Sequence, residues 1–437
     1  MMKFYNRESE LAQLKQIEDL SHQSAQMTFV IGRRRIGKTS LLLEAHKNSP
    51  CLYFFIAKKN EALLCQEFGE EIKQKLQIPL FGELKTFKVV FGLLLEIAKT
   101  RQFTVIIDEF QEFNTVNAAI YSDMQNLWDA SKRDAKINLL LCGSVYSMMT
   151  RIFENAKEPL FGRATHKIHL KSFDVGTLKE ILTHYHPQHS GEDLLAFYLI
   201  TGGVAKYVEL LISQKAFTKT AMLAQVLREN SLFLEEGKNV LIEEFGKEYG
   251  NYFSILSLIA TGKTSRVEIE SIMEIQTGGF LERLESSYGL IQKVRPIFAK
   301  PTSRTIKYAI ADNFLSFWFR FIYKYRSAIE AGNIEYIAQI VDRDYDTYSG
   351  KILEKYFIEK LKREKKYNLI GTYWEKNNEN EIDIVAVNEI EKKVVFCEVK
   401  RKANNIDLGK LKTKAAKLLP NFQGYQGSYQ GYSLDDI

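Results

Sequence analysis

Three groups of residues have types and spacings that chemistry could use. The first is GRRRIGKTS at 32–40, where Gly32, Gly37, Lys38 and Thr39 satisfy G-x-x-x-x-G-K-[ST]. Glycines let consecutive backbone N–H groups curl around a phosphate, and the helix opening at SLLLEAHK adds positive potential at its N-terminus. Gly32, Arg33, Arg34, Arg35, Ile36, Gly37, Lys38, Thr39 and Ser40 are therefore the expected cradle. Lys38 would reach the β- and γ-phosphates, and the Thr39 hydroxyl would hold Mg2+. The second group closes the β-favouring run FTVIIDEF, with Asp108 suited to the Mg2+ shell and Glu109 to orienting an attacking water. Each group alone has a bland explanation: a Gly-rich strand-to-helix turn, or an acid pair at a strand end. Both in order, with room for a strand and its helices between them, point to ATP with Mg2+ as its cofactor.

The third group lies near the far end, in VVFCEVK at 394–400. Glu398 and Lys400 are two apart and share one strand face. Asp383, in EIDIVAV, precedes them by about fifteen residues, and Glu354 sits among apolar neighbours in the helical GKILEKYFIEKL. Asp383 and Glu398 could share a hard Mg2+ through carboxylate oxygens. Lys400 could steady an attacking water or the charge forming on phosphate. Glu354 would be an outer-shell ligand. E-x-K alone recurs by chance in any amphipathic strand; a helix acid, a strand acid and E-x-K in that order is more specific. This order resembles the PD-(D/E)XK nuclease core, including Trp374 ahead of the acid, although Ile382 stands where the motif has Pro. Fold does not guarantee cleavage, so a domain that only recognises its substrate stays open.

These residues need elements to position them. From Met27 to about Leu170, MTFVIG, CLYFFIA, FTVIIDEF, INLLLCGS and HKIHL alternate with helical patterns, as in a doubly wound parallel sheet. From Val175 to about Glu236 the pattern is wholly helical, broken at Gly202 and Gly203. Residues 246–312 read as three helices and a hairpin, the winged-helix plan. An aromatic helix follows, then a helix at SGKILEKYFIEKLKRE, three strands and a Lys-rich helix. The tail NFQGYQGSYQGYS leans toward low complexity. The expected divisions are 1–174, 175–240, 241–325 and 345–437.

The motifs FYNRESEL, GRRRIGKTSLL, VIIDEFQ, LLLCGS and PLFGRAT resemble archaeal and bacterial AAA-type ATPases of the STAND-related group. The resemblance runs on through TGGVAKYV and covers nearly the whole chain. It implies an α/β P-loop NTPase fold with a helical lid, a winged-helix domain and a C-terminal PD-(D/E)XK-like domain. It also implies an additional-strand ATPase with Glu109 as catalytic acid and Ser144 as the polar sensor facing the γ-phosphate. Arg163 would supply charge to the transition state, within its own subunit or across a subunit interface, and Asn6 and Arg7 would lie near the base. Ser144 could instead cap the following helix, and Arg163 could be a surface ion-pair partner.

The candidate third helix of the winged segment carries Glu282 and Glu285 against Arg283 alone, and two acids there would repel a DNA backbone. The hairpin is more basic, with Lys293, Arg295, Lys300, Arg304 and Lys307. A connector responding to nucleotide state is favoured over a DNA clamp. His184, His186 and His189 lack acidic or thiol partners, so a solvated loop is expected rather than zinc. The net charge of +6 permits an anionic partner without demanding one. Four separated cysteines and no apolar run of about 18 residues predict a reduced, cytoplasmic protein with no membrane contact. ATP, DNA and another protein or a second copy are the expected partners.

Overall fold

The structure is a computed structural model and describes residues 4–300, 302–303, 305–375 and 380–437. It contains two compact units: residues 6–171, and residues 172–437 together with Phe4 and Tyr5.

The first unit runs α1 (Glu8–Ser21), β1 (Gln26–Ile31), α2 (Lys38–Ala45), β2 (Cys51–Phe55), α3 (Glu61–Leu76) and α4 (Phe87–Ala98). It continues with β3 (Phe103–Asp108), α5 (Phe113–Asn117), α6 (Ala119–Ser131), β4 (Ile137–Cys142), α7 (Tyr146–Glu154) and β5 (His166–His169). The strands form one parallel sheet in the order β2-β3-β4-β1-β5. Every residue of β1, β3 and β4 is buried, because helices cover both faces. That is why these strands read as unbroken apolar runs instead of alternating. β4 lies between β1 and β3, with Val30 beside Cys142 and Ile107 beside Leu141. The carboxyl ends of the three strands therefore open onto one edge, where an α/β sheet binds its ligand.

The second unit begins with five helices: α8 (Val175–Tyr185), α9 (Gly191–Thr201), α10 (Ala205–Ser213), α11 (Lys219–Val226) and α12 (Leu232–Phe245). From Leu194 to Thr201, α9 is buried on all sides and so shows no polar stripe. Gly202 and Gly203 end it with φ of 53° and 72°, and a Cβ on Gly203 would meet the Phe173 carbonyl oxygen at 2.2 Å. Then come α13 (Tyr249–Ala260), α14 (Arg266–Met273), α15 (Gly278–Glu282) and an antiparallel hairpin of β6 (Ile291–Val294) and β7 (Lys307–Ile310). The third helix is short, and a π-helical turn at Arg283–Ser287 extends it.

After α16 (Asn313–Phe317) and α17 (Arg326–Glu330), α18 spans Ile334–Glu364. It starts fifteen residues earlier than Ser349, where the sequence suggests a beginning. Ile337, Val341, Tyr345, Ser349 and Ile352 are buried at helical spacing beneath charged neighbours, and the Ser349 hydroxyl bonds back to the Tyr345 carbonyl at 2.7 Å. A four-stranded sheet follows in the order β11-β10-β9-β8: β8 (Leu369–Tyr373), β9 (Ile382–Asn388), β10 (Lys393–Val399) and β11 (Gln426–Tyr432). β8, β9 and β10 are antiparallel; α19 (Leu408–Ala415) crosses over so that β11 runs parallel to β10. The glutamine- and glycine-rich tail thus contains an ordered edge strand. Its tyrosines anchor opposite faces, Tyr429 on Phe396 and Tyr432 on Phe357, with ring centroids 5.7 and 4.5 Å apart.

The loop after β6 docks into this sheet. Ile297 donates its N–H to the Thr372 carbonyl at 2.8 Å and lies buried with Ile382, Val385 and Phe396. Phe298 meets Phe422 edge-on at 5.2 Å. Among the described residues, no helix is long and apolar enough to cross a membrane.

Candidate functional site

In the first unit, the loop between β1 and α2 takes left-handed backbone at Arg35 (φ 66°) and Gly37 (φ 95°). Gly32 is required by space, since a Cβ there would lie 2.5 Å from the Leu170 carbonyl oxygen. The Ile36 side chain is buried and plugs the loop into the core with Leu14, Ile17 and Leu41. Lys38 is buried, its ammonium bonded to the Gly32 and Arg33 carbonyls at 2.8 and 3.1 Å, so it lies along the loop it serves. Arg33, Arg34 and Arg35 are half-buried and Ser40 is exposed.

Asp108 ends β3 and is the centre of a network. Its Oδ2 accepts from Thr39 Oγ1 at 2.6 Å and Tyr53 OH at 2.9 Å; its Oδ1 accepts from Glu109 N at 2.9 Å and Cys142 Sγ at 3.1 Å. Burial and then the charge on Asp108 push the Tyr53 hydroxyl and the Cys142 thiol well above their usual ranges, so both stay protonated donors. Thr39 and Asp108 thus form a pair of hard oxygens at the loop. They suit Mg2+, which takes one or two protein oxygens and completes its shell with phosphate and water.

Glu109 follows with φ 53°, which turns its side chain out of the strand direction. Ser144 donates to it through Oγ at 2.6 Å, and Gln111 through its amide at 2.6 Å. Lys38, Thr39, Asp108, Glu109 and Ser144 are therefore gathered at one edge. Arg7 binds the Lys171 carbonyl at 2.8 Å, one residue from the Leu170 that abuts Gly32, so Arg7 lies near the loop. Arg163 is not brought to this cluster. It stands before β5, near the strands' starting ends, and its guanidinium pairs with Asp129 of α6 at 3.1 Å. The Asp129 pairing is the surface ion-pair alternative for this arginine. Sequence reading missed Tyr53, Cys142 and Gln111. Only Gln111 left a signal there, as the amide two residues after the acid pair.

The second unit assembles the other predicted group. Lys400 Nζ lies 3.4 Å from Asp383 Oδ2 and 3.5 Å from Glu398 Oε1. Val399 N donates to Asp383 at 2.8 Å and Asp407 N to Glu398 at 2.7 Å, which fixes both carboxylates. Burial, then the charge of nearby Asp383, pushes the Glu354 carboxyl up to about 8. Burial also raises Asp383, against the Val399 N–H and the Lys400 charge. Burial alone would lower Lys400, but Asp383 and Glu398 outweigh it and raise the ammonium. Among the described residues, no three acid, imidazole or thiol groups converge to cage a metal by themselves. Asp383 and Glu398 are still hard oxygens of the kind Mg2+ uses when a phosphate substrate completes its shell.

In the hairpin, Lys293 pairs with Glu285, while Lys307 lies 3.6 Å from Glu381 and 4.4 Å from the Trp374 ring centre. Arg283 pairs with Glu248 at 3.1 Å. Arg295 and Lys300 are exposed, and Arg304 lies outside the described residues. His184 packs edge-on against Tyr5, His186 stacks on Phe217, and His189 bonds Thr183 at 3.0 Å, so the three rings face different partners.

Residues 4–211 match the model of a family described as an ATPase domain predominantly from Archaea, and residues 318–417 match one of archaeal and bacterial proteins of unknown function. An uncharacterized protein of Methanocaldococcus jannaschii is 28% identical over 408 residues, covering 91% of this chain and 88% of that protein. Among solved structures, a Walker-type ATPase of Pyrococcus abyssi is similar, with a TM-score of 0.56 and 18% identity. The match covers 72% of this chain and 96% of that one. The ORC2 protein of Aeropyrum pernix, solved in ADPNP–ADP complexes, is similar at a TM-score of 0.46 and 15% identity, over 77% of this chain and 95% of that one.

Proposed function

We propose that this chain is a P-loop ATPase that hydrolyses Mg-ATP with Glu109 as general base and couples turnover to an acid–lysine site acting on DNA. The observation carrying the first half is the shared edge at which Lys38, Thr39, Asp108, Glu109 and Ser144 meet. Loop amides and Lys38 hold the β- and γ-phosphates. Glu109 accepts a proton from the water that attacks the γ-phosphorus; the bond from the γ-phosphorus to the β–γ bridging oxygen breaks, and its electron pair leaves with ADP. Ser144 orients Glu109. Mg2+ on Thr39 and Asp108 would neutralise the charge on the bridging phosphates. Arg163 would serve the nucleotide of a second copy of this chain.

The C-terminal half of the reading rests on Lys400 held between Asp383 and Glu398, with Glu354 beside them. The arrangement supports a PD-(D/E)XK-like domain that hydrolyses phosphodiesters. One observation favours a second reading, a nucleotide-dependent switch whose C-terminal domain recognises without cutting. The loop that a DNA-binding winged helix would insert into a groove is instead docked through Ile297 and Phe298, and Lys293 and Lys307 are engaged within the chain. This favours the 241–325 segment as a winged-helix connector.

Two substitutions separate the halves. Lys38→Ala should abolish ATP turnover, measured as phosphate release. Asp383→Ala should abolish Mg2+-dependent nicking of plasmid DNA while leaving ATP turnover intact. Wild-type protein that nicks no DNA with Mg2+ or Mn2+ would remove the nuclease reading and leave the switch.

A further inference from the structure

We propose that Gln111 is a positioning residue for Glu109: it anchors one carboxylate oxygen so that the other is left to take the proton of the attacking water. This rests on Glu109 being the general base. All three hydrogen bonds to Glu109 fall on Oε2, from Gln111 Nε2 at 2.6 Å, Ser144 Oγ at 2.6 Å and Ser144 N at 3.3 Å. Among the described residues none donates to Oε1. A base works best in that condition, with one oxygen fixed and its partner open.

Gln111 is built into the core for this task. It is 1% exposed, and its backbone carbonyl receives the Tyr121 hydroxyl at 3.2 Å. A carboxylate only accepts, so the NH2 end of the amide must face Glu109 and the carbonyl end must turn away. That carbonyl end, Oε1, is buried and has no hydrogen-bond partner. It lies 2.1 Å from where a Cβ at position 143 would stand, so Gly143 is the residue that leaves room for it. A buried oxygen left unpaired is destabilising. An apolar side chain of similar shape would fill the space without that cost, so packing alone does not account for an amide here. What the amide adds is a donor to the base.

The test uses the full chain with Gln111→Met, which keeps the shape and removes the donor. The expected result is a kcat for ATP lower by about tenfold to a hundredfold, part of what a positioned base contributes. KM and the affinity for a non-hydrolysable ATP analogue should stay within about twofold, because only orientation at the reacting water is lost. Gln111→Glu should lose more, since it sets one carboxylate against another; it also carries the test should Gln111→Met fail to fold. In a Glu109→Gln background, Gln111→Met should lower the residual rate no further. An unchanged kcat, or a loss matched by an equal loss of analogue affinity, overturns the assignment. Glu109→Gln retaining normal turnover would instead remove the base itself, a distinct outcome read from that variant alone.

Discussion

Ile297→Ala should destabilise the second unit by about 3 kcal/mol. The side chain is 6% exposed and packed among Ile382, Val385 and Phe396. Truncation removes three carbons, worth about 2.4 kcal/mol at roughly 0.8 each, and leaves a cavity that neighbours fill only in part. The bond from Ile297 N–H to Thr372 survives, because it uses the backbone. In a unit of this size, about 3 kcal/mol corresponds to a melting shift of roughly 6 °C. Trp374, whose ring carries Lys307 at 4.4 Å, gives a fluorescence signal close to the docked loop. Thermal melts followed through it should show the shift, and Lys300→Ala, on an exposed side chain of the same loop, should show none. A change below about 0.5 kcal/mol, the range of ordinary surface substitutions, would mean that the loop is undocked in solution and available to DNA.

His46 has a fully buried side chain 3.4 Å from Glu18, and burial holds its imidazole below the ordinary value of 6.5 despite the pull of that carboxylate. A depressed folded pKa contributes stability above pH 6.5 that is lost as pH falls through the folded value, because unfolding takes up a proton. Urea midpoints of the wild type should therefore fall more steeply below pH 6.5 than those of His46→Gln; parallel curves would refute this. Arg401 bonds Glu192 at 2.6 Å, Asp346 at 3.0 Å and Ser349 at 2.7 Å, tying α9 and α18 to the strand end after Lys400. Arg401→Ala should cost about 2 kcal/mol by urea denaturation, and Arg401→Lys should restore little, since one ammonium cannot reproduce the fork.

The grouping of the loop after β1 with the acids ending β3 was legible because phosphate-cradle backbone geometry and metal chemistry demand particular residues at fixed spacings. Gly32, Lys38, Thr39 and Asp108 are constrained by contacts within one loop and one strand end. The support around them was not legible. Tyr53 and Cys142 reach Asp108 only because β2, β3 and β4 are neighbours, and pairing order is not written in any one strand. The pairing of Arg163 with Asp129 was not legible either, because a Gly-Arg pair looks alike at either end of a sheet. The start of α18 was hidden by Ser349 and Gly350, which look like a cap until buried residues on both sides show one continuous stripe. β11 was hidden by composition: glycine and glutamine weaken the strand signal, and its tyrosines are explained by the rings they cover. The docking of Ile297 depends on an apolar slot made by β8 and β9, far along the chain.

The length of α18 has a mechanical consequence. Thirty-one residues without a break form a rod about 46 Å long. Near its carboxyl end, Arg363 meets Asp174 and Glu359 meets Tyr198; about two turns earlier, Glu354 faces the acid–lysine group. A stiff rod cannot absorb a tilt locally. A pivot of roughly 10° about the Arg363 end would displace Glu354 by about 2 Å at 1.5 Å of rise per residue. Leverage of that kind makes the spacing of four side chains a gauge of where one distant helix lies.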